Sequence, residues 1–286
     1  MKKNLTLLAA ALAAVTMAAT FSGCASARKK NENDENYEII GRDPEDISGG
    51  NQQLPEIQLP EEKPEQPATP EEPKVKTVSY VTTTTNGVNL RSGAGTGYSV
   101  RGSAEKSTLY ALDGKTDGWY KTGYKDGVAY ISCKYCSVVE MTASDNDKIE
   151  AVIAEGAKLL GTPYVYGATR MHDGKGHMNR YFTTSEFDCS SLMQYMFYKG
   201  AGVLLDVNTR TQVYQGKTVT RSQLKRGDLM FFTNASRKNN KGIERIGHVA
   251  LYLGDNWILH TASDYAKIEQ ISSTRWSYFI QGQRII

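Results

Sequence analysis

Cysteine and histidine are scarce enough in this chain to be weighed one at a time, with four of each among 286 residues. Cys189 stands in the run Phe187-Asp188-Cys189-Ser190-Ser191-Leu192-Met193-Gln194-Tyr195-Met196-Phe197, directly ahead of an apolar, helix-compatible stretch. Unpaired N–H groups and aligned peptide dipoles at a helix start favour an anion, so a thiol placed there ionises more easily. A single such cysteine is more often an inert core residue. Two histidines change that balance: His248 and His260 follow 59 and 71 residues later, each inside an apolar segment. A thiol, a base that touches it and a third polar group that orients the base make a nucleophilic site. His172 and His177 instead fall in a polar stretch between residues 169 and 186. A metal held by Cys189, His248 and His260 is the weaker reading, because no neighbouring carboxylate is evident in the sequence. Cys133-Lys134-Tyr135-Cys136 has no second pair to complete a zinc site, leaving a local disulfide or two free thiols.

These residues need elements to hold them. Asp188 can cap a helix carrying Leu192, Met193, Met196 and Phe197 on its buried face, with Gly200 as its stop. An earlier helix is expected from Ser144 and Asp147, which resemble a capping box, through Ile149, Val152, Ile153, Ala157 and Leu160 to Gly161. Residues 228–232, 246–253 and 257–260 read as strands. Helices first and strands later predict an α+β domain with a largely antiparallel sheet. From Thr77 to Glu140, short Val-, Thr- and Tyr-rich runs between Gly, Asn and Asp turns predict a small β domain. The glycine-rich segment Gly93–Gly97 has no following helix, and neither Gly-Lys-Thr triplet has the spacing of a phosphate loop, so no nucleotide site is expected.

Charge and composition divide the chain. Residues 25–76 hold 13 acidic and 7 basic side chains and seven of the eight prolines; residues 77–286 hold 18 acidic and 25 basic side chains. The proline- and glutamate-rich segment 24–76 cannot bury enough surface to fold and reads as a tether. Ahead of it, Lys2 and Lys3 precede an apolar run ending in Phe21-Ser22-Gly23-Cys24. That leader, residues 1–23, resembles a bacterial lipoprotein signal cut before Cys24, whose sulfur would carry the lipid.

The strings GTPYVYGA, FDCSSLMQYMF, RGDLMFF, IGHVALYLGD and ILHTAS, in this order, resemble the NlpC/p60 family of papain-like cell-wall cysteine peptidases. Gly87–Gly95, Gly118-Trp119-Tyr120-Lys121 and Gly127–Ser132 resemble successive strands of a bacterial SH3 (SH3b) barrel. The resemblances imply an α+β, papain-like catalytic domain over residues 145–286 and a small all-β SH3b barrel over 77–140. By position they imply Cys189 as nucleophile, met as a thiolate by protonated His248, with His260 orienting that base. Tyr164 would support the oxyanion, and Asp188 and Ser190 would lie near the substrate's amino group. Ser191 and Ala168 stand where glycine is usual. The implied activity is hydrolysis of the D-γ-glutamyl–diamino acid bond of peptidoglycan stem peptides by an exported, lipid-anchored protein. It would sit at the outer face of the cytoplasmic membrane or, in a two-membrane cell, in the periplasm or outer membrane. No cofactor, metal or nucleic acid is expected, and the chain is expected to be a monomer. A thiol amidase or acyltransferase, or a wall-binding lipoprotein without catalysis, are the alternatives.

Overall fold

Alternating Val, Thr and Tyr residues bounded by turn formers give a strand-rich computed structural model, which describes residues 75–286. The expected leader 1–23, lipid-bearing Cys24 and most of the tether lie outside the described residues. The first eight strands are β1 (Thr77–Thr83), β2 (Val88–Arg91), β3 (Val100–Ala104), β4 (Thr108–Ala111), β5 (Gly114–Thr116), β6 (Trp119–Gly123), β7 (Val128–Ser132) and β8 (Cys136–Thr142). There follow helices α1 (Asp147–Lys158), α2 (Cys189–Ala201) and α3 (Thr209–Gln212), then strands β9 (Lys217–Val219), β10 (Leu229–Phe232), β11 (His248–Gly254), β12 (Trp257–Ala262) and β13 (Tyr265–Gln270), helix α4 (Ser273–Ser277) and strand β14 (Phe279–Arg284).

Strands β3-β2-β7-β6-β5 form one sheet. The other is continuous across the region Thr77–Thr142 and the rest of the chain, in the order β8-β1-β4-β13-β12-β11-β10-β14-β9. The join is antiparallel pairing of β4 with β13, Leu109 opposite Ile268 and Thr108 opposite Glu269. It satisfies two strand edges that would otherwise present unpaired N–H and C=O groups. All pairs in the nine-stranded sheet are antiparallel.

One face of this sheet, through Val249, Leu251 and Leu259, packs with the fully buried Leu192, Met193, Met196 and Phe197 of α2. On the other, Met230, Phe232, Ala250, Ile258 and Ile271 form a smaller core closed by Trp276 and Phe279. Three helix boundaries differ from expectation, the first being the end of α1, which stops at Lys158 rather than at Gly161. The cap of α1 is Asn146, which accepts from Lys148 N, while Ser144 lies further out and donates its own N–H to Glu150. Helix α2 runs past Gly200 to Gly202, which ends it in the left-handed region at φ 70°. Gly200 serves packing instead: a Cβ there would lie 2.4 Å from the backbone nitrogen of Val152, so α1 and α2 cross where only hydrogen fits.

Arg226, 8% exposed, ties the β-rich region to the helices. It donates from Nε and Nη2 to the Glu150 carboxylate at 2.7 and 2.9 Å, from Nη2 to Tyr80 Oη at 2.9 Å and from Nη1 to Leu253 O at 2.8 Å. Removing one partner of a buried pair strands the other. Arg226→Ala should therefore lower unfolding free energy by about 3 to 5 kcal/mol in a denaturant titration, whereas a loss below about 1 kcal/mol would class the pair with exposed salt bridges.

Candidate active site

The Cys189 end of α2 is fixed by reciprocal capping. Asp188 Oδ1 accepts from Ser191 N at 2.8 Å, and Ser191 Oγ accepts from Asp188 N at 2.9 Å. The serine in place of the usual glycine thus completes a capping box. Cys189 is the first helical residue and 8% exposed, and the backbones of Ser190 and of Val249, the neighbour of His248, favour its ionised form. Tyr164 reaches the same place from the segment after α1, its backbone bridged to Phe187 and bonded to Asp264 O.

The histidines are placed by strand register. Leu251 pairs with Leu259, so continuing the ladder sets His260 opposite Ala250 and diagonal to His248 on the same face. The rings meet with His248 Nε2 and His260 Nδ1 3.0 Å apart. The pairing of His260 with Lys267 and of Ile258 with Glu269 repeats the diagonal on the next strand. There His260 Nε2 lies 2.9 Å from Glu269 Oε1, and that carboxylate also accepts from Arg275 Nη2 at 2.9 Å. No carboxylate behind the histidines was evident in the sequence; Glu269 is one, on a strand that the apolar pattern around His248 and His260 does not reach. Its signal is the alternation of Ala266 and Ile268 with Lys267 and Glu269 after a turn.

Burial decides the charge states. The Cys189 thiol is pushed up to about 12, first by burial and then by the Asp188 carboxylate, against the pull of the two N–H groups. Burial, helped by neighbouring His260 and Arg275, drives His248 well below the usual histidine range. His260 is also lowered by burial, although its bond to Glu269 opposes this, and Glu269 itself is held near 2 by His260 and its cationic neighbours despite its burial. Enclosure thus favours the uncharged form of each group, opposing the pull of the helix terminus on the thiol. Tyr164, raised to about 12 chiefly by burial, is a neutral hydrogen-bond donor at pH 7.

Two lobes of a cleft meet at Tyr164, Asn234 and Gly247. The first, about 420 Å³, is lined by Asp188, Cys189 and Ser190; the second, about 370 Å³, by His248 and Arg275. Arg170, from the polar stretch 169–186, enters the first lobe and bonds Asp188 Oδ2 at 2.8 Å and Ser190 Oγ at 3.2 Å. Position in sequence gave no hint of this residue. His172 lies away from the cleft's lining, its backbone bonded to Gln194 of α2, and His177 is exposed beside Asp173. Cys133 and Cys136 are free thiols. Trp119 lines a separate cleft of about 540 Å³ on the β-rich region, whereas Tyr124 is core. Among the described residues, no group of three or more His, Cys, Asp or Glu side chains is arranged to hold a metal ion.

Parts of the chain match known families. Residues 161–284 match the NlpC/P60 family and residues 86–137 the bacterial SH3 domain. The chain is similar to the gamma-DL-glutamyl hydrolase of Bacillus subtilis, 27% identical over 62% of this chain and 40% of that protein. It is 32% identical to the peptidoglycan DL-endopeptidase CwlO of Bacillus licheniformis, over 50% of this chain and 29% of that one. It is also 29% identical to the gamma-D-glutamyl-L-lysine dipeptidyl-peptidase of Bacillus subtilis, over 60% and 50%. The chain thus spans half or less of the length of these relatives.

The charge states have two measurable consequences. Because a thiolate fraction rises about tenfold per pH unit below the thiol's pKa, alkylation of Cys189 by iodoacetamide should climb steadily from pH 6 to 9 when followed by site-resolved mass spectrometry. A rate already flat above pH 7 would indicate a resting ion pair. Glu269→Gln should lower activity by about tenfold through misorientation of His260 while leaving substrate KM nearly unchanged. Unaltered kcat would show that His260 holds its ring without the carboxylate.

Proposed function

We propose, because residues 161–284 match the NlpC/P60 family and residues 86–137 the bacterial SH3 domain, that the chain is a peptidoglycan hydrolase. It acts as a cysteine endopeptidase on the bond between the D-γ-glutamyl residue and the diamino acid, meso-diaminopimelate or L-lysine, of stem peptides. The observation that carries this reading is the capped start of α2 presenting Cys189 beside the strand that begins with His248, itself aligned by His260 at 3.0 Å.

Burial favours the uncharged thiol and imidazole, so in the proposed reaction the proton moves as the bond forms. As the Cys189 sulfur forms its bond to the scissile carbonyl carbon, the thiol proton passes to His248. Negative charge gathers on the carbonyl oxygen, where the Cys189 N–H and the Tyr164 hydroxyl are the available donors. The C–N bond breaks as His248 gives its proton to the departing amine, leaving a thioester. Water then attacks the thioester, passing a proton to His248, which returns it to the leaving sulfur. His260 and Glu269 keep the imidazole turned toward the sulfur throughout.

The relatives' names supply the substrate class, and the bacterial SH3 domain, proposed over residues 77–140, suits a role in holding the wall. A catalytic domain over 145–286, export by the leader 1–23 and lipid anchoring at Cys24 with 24–76 as tether complete the proposal, for a chain acting as a monomer at a membrane surface facing the wall. Digestion of purified muropeptides tests it, wild type beside Cys189→Ala. Mass spectrometry should reveal fragments ending in D-glutamate with the wild type alone; their absence, from a folded protein, would favour a wall binder or another acyl substrate. Tyr164→Phe, which removes one oxyanion donor, should cost about 10²-fold in kcat. His260→Gln should cost less than His248→Ala.

A further inference from the structure

Under the proposed hydrolysis, on which this inference rests, the two lobes of the cleft have different chemical duties. His248 protonates the leaving amine, so the diamino acid lies in the lobe His248 lines. The acyl part lies in the other lobe, with Cys189, Asp188 and Ser190. In a stem peptide the acyl part is short, L-alanyl-γ-D-glutamyl, so its N-terminus enters this lobe as well. That nitrogen has two chemical states. It is a free ammonium in a released peptide and an uncharged amide in a peptide still joined to the glycan.

Charge in the acyl lobe discriminates between them. Among the described residues lining it, Asp188 is the one carboxylate, against the guanidiniums of Arg170, Arg210 and Arg237. Asp188 is 4% exposed and its oxygens are already taken: Oδ1 by Ser191 N and Ser190 Oγ, Oδ2 by Gly167 N and Arg170 Nη2. Arg170 is not a loose side chain that an incoming ammonium could displace cheaply. It also donates from Nε to Val207 O and from Nη1 to Ala168 O, so its guanidinium is held by backbone as well as by Asp188. Arg210 and Arg237 share Glu244, at 3.0 and 3.3 Å, so the lobe as a whole keeps a positive balance. An ammonium entering here meets a guanidinium where it needs a carboxylate, whereas an amide carries no charge to be repelled and the glutamyl α-carboxylate is attracted.

We infer that Arg170, by occupying Asp188 and Ser190, makes the acyl lobe selective for stem peptides whose N-terminus is acylated, as in the glycan-linked wall, over free peptides. Arg170 is thus a specificity-determining residue.

The test uses the full chain and paired tripeptides, L-alanyl-γ-D-glutamyl-diamino acid with a free amine and the same peptides N-acetylated, in both lysine and diaminopimelate forms. Release of the diamino acid is followed by mass spectrometry. At pH 6.5 the acetylated peptides should be cut with kcat/KM about tenfold or more above the free ones. The gap should narrow as pH passes the α-amino pKa of about 8, where the free amine loses its charge. Arg170→Met, checked for folding by circular dichroism, should bring the ratio toward or below unity, because Asp188 is then open to an ammonium. Equal or faster cleavage of the free peptides by wild type at pH 6.5 overturns the inference and leaves the hydrolase reading standing. An unchanged ratio in folded Arg170→Met overturns the assignment to Arg170. Cleavage of neither peptide overturns the hydrolase reading and this inference with it.

Discussion

One buried carboxylate, that of Asp188, joins the parts of the site that are far apart in sequence. Through Oδ1 it caps α2 and so fixes the direction in which Cys189 leaves the helix. Through Oδ2 it holds Gly167 N, on the segment that carries Tyr164, and the Arg170 guanidinium, on the polar stretch before α2. A carboxylate buried this deeply is tolerable only if fully partnered. Its partners accordingly constrain both the start of α2 and the segment before it, so Cys189, Tyr164 and Arg170 share one anchor.

The second constraint is the register of three antiparallel strands. His248, His260 and Glu269 stand on one face of β11, β12 and β13, each diagonal to the next, so the relay is a property of the sheet rather than of any loop. The sheet does not end there. The backbone of Glu269 pairs with Thr108 of β4, so the region that matches the bacterial SH3 domain braces the strand that carries Glu269. Packing of the two regions and alignment of the histidine pair therefore share one sheet, and Arg226 fastens the helices to the β-rich region through Glu150 and Tyr80.

Burial and the helix terminus pull Cys189 in opposite directions, and burial prevails. The N–H groups of Ser190 and Val249 favour a thiolate, but an enclosed sulfur beside a carboxylate is held as a thiol up to about 12. In the proposed reaction, charge would therefore develop during the attack, with His248 as the proton acceptor.

The sequence by itself determined what local chemistry can specify. Asp188 beside Cys189 ahead of an apolar run announces a capped helix, the period-two apolar pattern around His248 and His260 announces strands, and the motifs around them carried the family resemblance. Even there, local rules misjudged Gly200, because a glycine's use in close helix packing and its use as a stop look alike in one dimension. Only the tertiary structure decided what depends on distant partners. Arg170 is one basic residue among many until the fold brings it to Asp188, and Glu269 is an ordinary strand-face carboxylate until the register sets it against His260. The directions in which Cys189 and His248 are shifted belong with these, since desolvation, the largest cause of both, is a property of the enclosure built around a group.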